Sequence, residues 1–203
     1  MNTDHHADVL RDLPAVTEAD LAALHARLAE RAAADGVLDV AYRTLDTPVG
    51  TLLLAATEAG LVRVAFPIEG HDEVLQALAA RISPRVLRAP ARLDVVSREI
   101  DEYFAGRRRS FDLPLDYSLS SGFRREVLTR LPGIGYGTTA SYATVAATVG
   151  SPRAFRAVGT ACATNPLPVV VPCHRVIKSG GDLGRYRGGP DAKRFLLDLE
   201  AAA

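Results

Sequence analysis

The sequence predicts an α+β protein: a small N-terminal α/β domain with a mainly antiparallel sheet, followed by a mostly helical C-terminal domain containing a helix-turn-helix. Three observations carry this reading. Residues 37–118 hold short apolar runs separated by turn signals. Residues 119–203 hold two short helical patterns joined by a tight Gly–Ser turn. Charge divides at the same place, with 13 Lys+Arg against 19 Asp+Glu up to residue 118 and 11 against 5 beyond it. The halves thus carry −6 and +6, although the whole chain is formally neutral. A basic helical half on a more acidic partner domain suits a polyanion ligand, where a mere excess of solvated arginines is the blander reading.

Taken in order, residues 1–36 read as a helical extension. In "TEADLAALHARLAERAAADG" Thr17 caps the helix, Leu21, Leu24 and Leu28 share a face, and Gly36 ends it. His5, His6 and His25 fall here at a spacing that matches no metal site, so they read as surface residues. Residues 37–118 form the α/β domain. "VLDVAYRTL" is strand-like, and "TLLLAATEAGLVRVAF" is a hairpin turning at Glu58–Gly60. Helices follow at 71–81 and 91–105, the second turning Leu93, Val96, Ile100 and Tyr103 inward. "SFDLPLDY" alternates Phe111, Leu113 and Leu115 as a further strand, and the arginines at 107–109 read as a solvated helix end.

Residues 119–203 open with a helix over 121–131, stopped by Pro132 and a glycine-rich turn. Gly133, Gly135 and Gly137 alternate with no strand leading in, so they do not make a phosphate loop. Ser141 caps a short helix that Gly150 ends, and Ser151 caps a second with Pro152 at its first position. That second helix carries Arg153 and Arg156 with the small residues Ala157, Gly159 and Ala161, a composition that permits close approach to a DNA groove.

Several classes are excluded. No apolar run approaches the roughly 20 residues of a membrane span. The start, "MNTDHHADVLRDLP", is polar and acidic, unlike a signal peptide. Two cysteines make no disulfide framework, so free thiols and a cytoplasmic location are expected.

Cys162, between two alanines on the second helix, reads as a packing residue. Cys173 differs. It sits in "NPLPVVVPCHRVIKSGG" between Pro172 and the pair His174–Arg175. A thiol attacks a soft electrophile only as thiolate, which a nearby histidine can promote. Such a histidine needs an orienting acceptor, and the downstream choices are Asp182, Asp191, Asp198 and Glu200.

"PCHRV" at 172–176 resembles the active-site signature of O6-alkylguanine-DNA alkyltransferases, the methylated-DNA–protein-cysteine methyltransferases. "YGTTASYATVA", "RAVG", "NP", "PCHRVI", then a glycine, a tyrosine, "GG", a lysine, "LL" and a glutamate follow the family's order and spacing from Tyr136 to Glu200. The resemblance is strong over 121–203 and looser over 37–118, and residues 1–36 have no counterpart. It implies a monomer that acts on double-stranded DNA containing O6-alkylguanine, without cofactor, metal or membrane. Cys173 takes the alkyl group irreversibly in a single turnover. By the same resemblance His174 deprotonates Cys173 through a water, Glu200 orients His174, and Asn165 braces the turn. Tyr186 donates to the guanine, and backbone at Cys173 and Val176 accepts from its amino group. Tyr142 presses on the phosphate beside the lesion, Arg156 fills the gap left by the flipped base, and Ala157, Gly159 and Arg153 lie along the DNA-facing helix.

The chain departs from the family pattern in three places. Leu128 stands where an aromatic is usual, "GIGYG" replaces "IPYG", and Arg187 follows the pocket tyrosine where a small residue is common. The last puts the size of the alkyl pocket in question. Competing readings are a lesion sensor that binds without reacting, which Cys173 argues against, a helix-turn-helix regulator, and a cysteine hydrolase.

Overall fold

The computed structural model describes residues 16–202; His5 and His6 lie outside them. Among these residues no helix is long and apolar enough to cross a membrane. Helix α1 (Glu18–Ala34) begins in a capping box, in which Thr17 and Asp20 each bond the other's backbone amide. Its Leu21, Leu24 and Leu28 share a face, as the pattern predicts, but that face is half exposed, and Ala29 and Ala32 are the buried positions.

The sheet orders its strands β3-β2-β1-β4, with β1 Val40–Leu45, β2 Leu52–Thr57, β3 Gly60–Ala65 and β4 Val86–Arg88. The first three are antiparallel, and β4 joins β1 in parallel. β4 was not anticipated, because three residues after a Ser–Pro turn are too few to show a period.

Side chains alternate across β2. Leu52, Leu54 and Ala56 face one core, while Leu53 and Ala55 face another beneath helix α2 (His71–Arg81). In β3 the register slips, with Ala55 opposite Arg63 and Ala56 opposite Leu61, so that Val62 is left over. This bulge puts Leu61 and Val64 on the same face despite their odd spacing.

The predicted strand at 111–115 does not form. Pro114 has no amide to give, and the segment contributes only an isolated bridge at Leu115. It runs along β3 nonetheless: the Leu61 amide donates to the Pro114 carbonyl (2.8 Å) and the Asp116 amide to the Leu61 carbonyl (2.9 Å). The Val64 amide donates to the Pro166 carbonyl (2.8 Å), so this edge strand is covered by chain from both halves of the protein.

Helix α3 (Asp94–Phe104) turns Val96, Ile100 and Tyr103 into the same core as the sheet. The arginines after it are not simply solvated. Arg108 pairs with Glu102 (2.9 Å) and Glu99 (3.4 Å), and Arg109 lies 5.7 Å from the Tyr136 ring centre. The core continues without a break into the helical half through Val127, Leu128 and Leu131. Leu128 is 1 % exposed there, so it serves packing.

That half comprises α4 (Gly122–Arg130), α5 (Tyr142–Thr148), α6 (Phe155–Ala163) and α7 (Gly189–Ala201), with a two-stranded parallel pairing of β5 (Ala140–Ser141) and β6 (Val176–Ile177). Ser141 caps α5 by accepting from the Thr144 amide (3.0 Å). Ser151 does not cap α6. Residues 151–154 form a separate turn, closed by the Ala154 amide on the Ser151 carbonyl (2.8 Å), and α6 starts one turn later than expected. Arg153 therefore sits in the turn of the helix-turn-helix, ahead of its second helix.

Candidate active site

The segment from Asn165 to Arg175 is folded on itself by the Asn165 side chain. Its Oδ1 accepts from the Leu167 amide (2.9 Å), and its Nδ2 donates to the Val171 carbonyl (2.9 Å) and the Cys173 Sγ (3.1 Å). Val169 within it adopts φ +72°. A β-branched residue in that region stores on the order of 1–3 kcal/mol of strain. Cys173, His174 and Arg175 then form a single 3₁₀ turn. Such a turn sends successive side chains in different directions about its axis.

His174 and Arg175 meet Glu200, which α7 delivers from the far end of the chain. Glu200 accepts five hydrogen bonds: from Tyr103 Oη (2.7 Å), His174 Nε2 (2.8 Å), Arg175 Nη2 and Nε (2.9 Å each) and the Gly137 amide (3.1 Å). Of the four carboxylates open on sequence grounds, it is the one that reaches His174. Burial alone would raise its pKa, but the bonds from His174 and Arg175 outweigh that and bring it down to about 2.

Burial pulls the His174 pKa down, opposed by Glu200. A neutral imidazole that donates from Nε2 to a carboxylate has its lone pair on Nδ1. Nδ1 is buried and has no hydrogen-bond partner among the described residues, so the tautomer offers a proton acceptor. Cys173 is 1 % exposed, and burial pushes its thiol up to about 11, offset by the Asn165 bond and by Lys193. At pH 7 roughly one molecule in 10⁴ would hold the free thiolate. Reaction at this sulfur therefore needs a base that removes the proton as the bond forms.

Tyr186 is buried, with its ring edge-on to His174 (6.4 Å between centres) and to Phe66 (5.6 Å). Among the described residues its Oη has no partner in hydrogen-bonding geometry, although the Val169 backbone lies close by. Burial and the neighbouring Cys173 raise its pKa well above the usual phenol value, so it stays a donor. The Val176 carbonyl accepts from Lys193 Nζ (2.6 Å). Arg187 pairs with Glu69.

The residues expected at a DNA surface differ in exposure. Arg153, Arg156 and Ala157 are exposed around the start of α6, with the Arg156 guanidinium 5.7 Å from the Phe155 ring centre. Tyr142 is half buried. Its ring packs at ordinary contact distance from where a β-carbon on Gly159 would stand (3.9 Å). Cys162 is buried and free, in keeping with packing.

Three contributors escaped sequence reasoning. Tyr103 was legible only as an inward-facing residue, although a buried tyrosine hydroxyl generally finds a partner. Arg175 was read only as part of a motif. Lys193 lies seven residues before Glu200, on the same face of α7, and that spacing was an available signal. Among the described residues, no group of three or more His, Cys, Asp or Glu side chains could hold a metal ion.

Comparison with known proteins adds a second line. Residues 122–202 match the model for the DNA-binding domain of 6-O-methylguanine DNA methyltransferase, and residues 40–117 match its ribonuclease-like domain. The chain is 38% identical over 159 residues to a methylated-DNA–protein-cysteine methyltransferase of Methanosarcina barkeri, which covers 78% of this chain and 96% of that protein. It is 39% identical over 163 residues to the constitutive one of Bacillus subtilis, covering 78% and 94%. The crystal structure of Mycobacterium tuberculosis O6-methylguanine methyltransferase superposes with a TM-score of 0.71 at 35% identity, covering 80% of this chain and 93% of that one. The same organism's protein in complex with DNA superposes at 0.68, with the same identity and coverage.

The Glu200 cluster makes a prediction about acid stability. The folded pKa of about 2 lies below the ordinary 4.5, so the unfolded chain binds a proton first as pH falls. The stabilisation, about 3 kcal/mol, is present above pH 5 and is lost as pH falls through 4.5 toward 2. Glu200→Gln should unfold at lower urea than wild type at pH 7, and the gap should close by pH 2–3. Urea titrations across that range check this; a gap that does not change with pH would show that Glu200 is not ionised in the fold.

Proposed function

The chain belongs to the 6-O-methylguanine DNA methyltransferase family, and from that premise we propose that it repairs DNA by moving an alkyl group from guanine O6 to its own Cys173. The observation that carries the reading is the buried relay of a thiol held by Asn165, a neutral His174 and an ionised Glu200. Residues 119–203 act as the DNA-binding and alkyl-transfer domain, 37–118 as its N-terminal partner and 1–36 as an extension, working as a monomer.

Each side chain has a role in one displacement. The Cys173 proton leaves toward His174 Nδ1, through one bridging water, while Sγ attacks the alkyl carbon. The carbon–O6 bond breaks, its electron pair goes to the guanine, and Tyr186 donates a hydrogen bond that stabilises the charge on O6. The Val176 carbonyl, held by Lys193, and the Cys173 backbone accept from the guanine amino group. A thioether remains on Cys173, with no step to remove it, so one molecule repairs one lesion. That distinguishes the protein from a sensor, which binds without reacting, from a regulator and from a hydrolase, which turns over.

The target carbon lies within the duplex stack, so the nucleotide must be flipped out at a cost of a few kcal/mol. Arg156, exposed at the start of α6, enters the gap, while Arg153, Ala157 and Gly159 line the approach and Tyr142 presses on the adjacent phosphate. No metal or organic cofactor takes part in this scheme.

Two experiments test it. A duplex carrying labelled O6-methylguanine should transfer one equivalent of label to Cys173 in a single burst. Cys173→Ala should transfer none; sustained turnover, or transfer in that variant, would sink the proposal. Arg156→Ala should slow repair of the duplex by about tenfold or more, the scale of a lost base-flipping contact, and leave reaction with free O6-benzylguanine within about twofold. Equal losses on both substrates would remove Arg156 from the flipping step.

A further inference from the structure

We propose that the Arg63–Glu69–Arg187 ion cluster is a positioning device by which the N-terminal domain sets Tyr186 against the thiol; the proposal rests on the alkyl-transfer reading above. Glu69 lies just beyond β3, where its Oε1 accepts from the Phe66 amide (2.9 Å). Its Oε2 accepts from Arg63 Nη2 on one side and Arg187 Nε on the other. The Glu69 and Arg63 side chains are 10 % and 6 % exposed, so this is a built contact between halves of the chain and not a surface pair.

Each arginine leads to a different segment beside Cys173. Arg63 Nη1 donates to the carbonyls of Val64 (2.6 Å) and Pro166 (3.2 Å). Pro166 follows Asn165, whose amide reaches the thiol sulfur. Arg187 follows Tyr186. A single carboxylate thus ties together the turn that carries the hydrogen bond to sulfur and the loop that carries the phenol.

The contacts around the cluster reinforce it. Phe66, whose amide Glu69 holds, packs its ring edge-on against Tyr186. It also lies so close to Gly188 that a β-carbon there would stand 2.7 Å from its ring. Residues 186–188 are therefore seated on Phe66 by packing and latched to Glu69 by charge. Among the described residues no group holds Tyr186 Oη in hydrogen-bonding geometry, so packing against these neighbours positions the ring. Arg187, the residue whose size put the alkyl pocket in question, is turned outward to do the latching.

A double-mutant cycle measures the coupling. Arg187→Ala leaves Arg63 and Glu69 as a neutral pair, so it should fold with a cooperative melt. Its single-turnover rate of label transfer, at saturating duplex, should fall by about tenfold, the scale of one lost transition-state contact. Affinity for unmodified duplex should stay within about twofold, and Arg187→Lys should recover most of the rate. In a Tyr186→Phe background, Arg187→Ala should cost less than about twofold, because the group it positions is gone. The proposal fails if Arg187→Ala transfers at the wild-type rate or loses rate and duplex affinity by the same factor. It fails equally if the loss is unchanged in the Tyr186→Phe background, as a general structural defect would give. Wild-type protein run alongside separates the two questions, since absence of transfer there would instead remove the alkyl-transfer reading itself.

Discussion

The carboxylate of Glu200 is the constraint on which the site depends. Alone and ionised at 3 % exposure, it would cost several kcal/mol to bury. It is tolerated because five donors converge on its two oxygens and because Arg175 supplies the opposite charge. Those donors come from α3, the turn at Gly137 and the 3₁₀ turn at Cys173–Arg175, so satisfying one charge fixes separate pieces of chain around α7. The orientation and tautomer of His174 follow from that arrangement. Tyr103 brings α3 into it, so the Glu200 cluster is assembled by both halves of the protein.

The same burial sets the resting state of the reactants. Desolvation disfavours charge on both Cys173 and His174, which raises the thiol and lowers the imidazole. Both are neutral at rest, and no charged thiolate waits in the site. A thiol that is used once is better kept protonated and covered, since thiolate character and exposure govern oxidation and stray alkylation. The cost is that sulfur becomes a nucleophile only while its proton is leaving. The free lone pair on His174 Nδ1 is the group that makes this possible.

Much of this was legible in the sequence, and the boundary is physical. Periodicity gave the hairpin and the inward face of α3, and residue chemistry gave the helix pair with its Gly–Ser turn. The motif around Cys173, with Asn165, His174, Tyr186 and Glu200 in order, led to the site. What failed was local competition. Ser151 and Pro152 have the chemistry of a helix start, yet they close a turn, and the helix begins beyond them. Phe111, Leu113 and Leu115 alternate like a strand, but Pro114 lacks the amide a ladder needs. Contacts across long sequence separations were beyond reach. Nothing near Tyr103 or Glu69 announces that each will meet the C-terminal half, because only the tertiary fold brings them there.

The way the halves join decides which side chains the junction constrains. The edge of β3 meets the rest of the chain largely through backbone, with Leu61 to Pro114 and Asp116, and Val64 to Pro166. Such bonds constrain strand geometry and leave side chains free to change. Only a few side chains of the N-terminal half carry specific duties: Arg63 beside the bulge, Phe66 and Glu69 just beyond β3 against the loop of Tyr186, and Tyr103 of α3 on Glu200. The helical half is different, since the thiol, the Glu200 cluster and the buried phenol each need particular atoms. The junction therefore constrains fewer side chains than the reactive segment does.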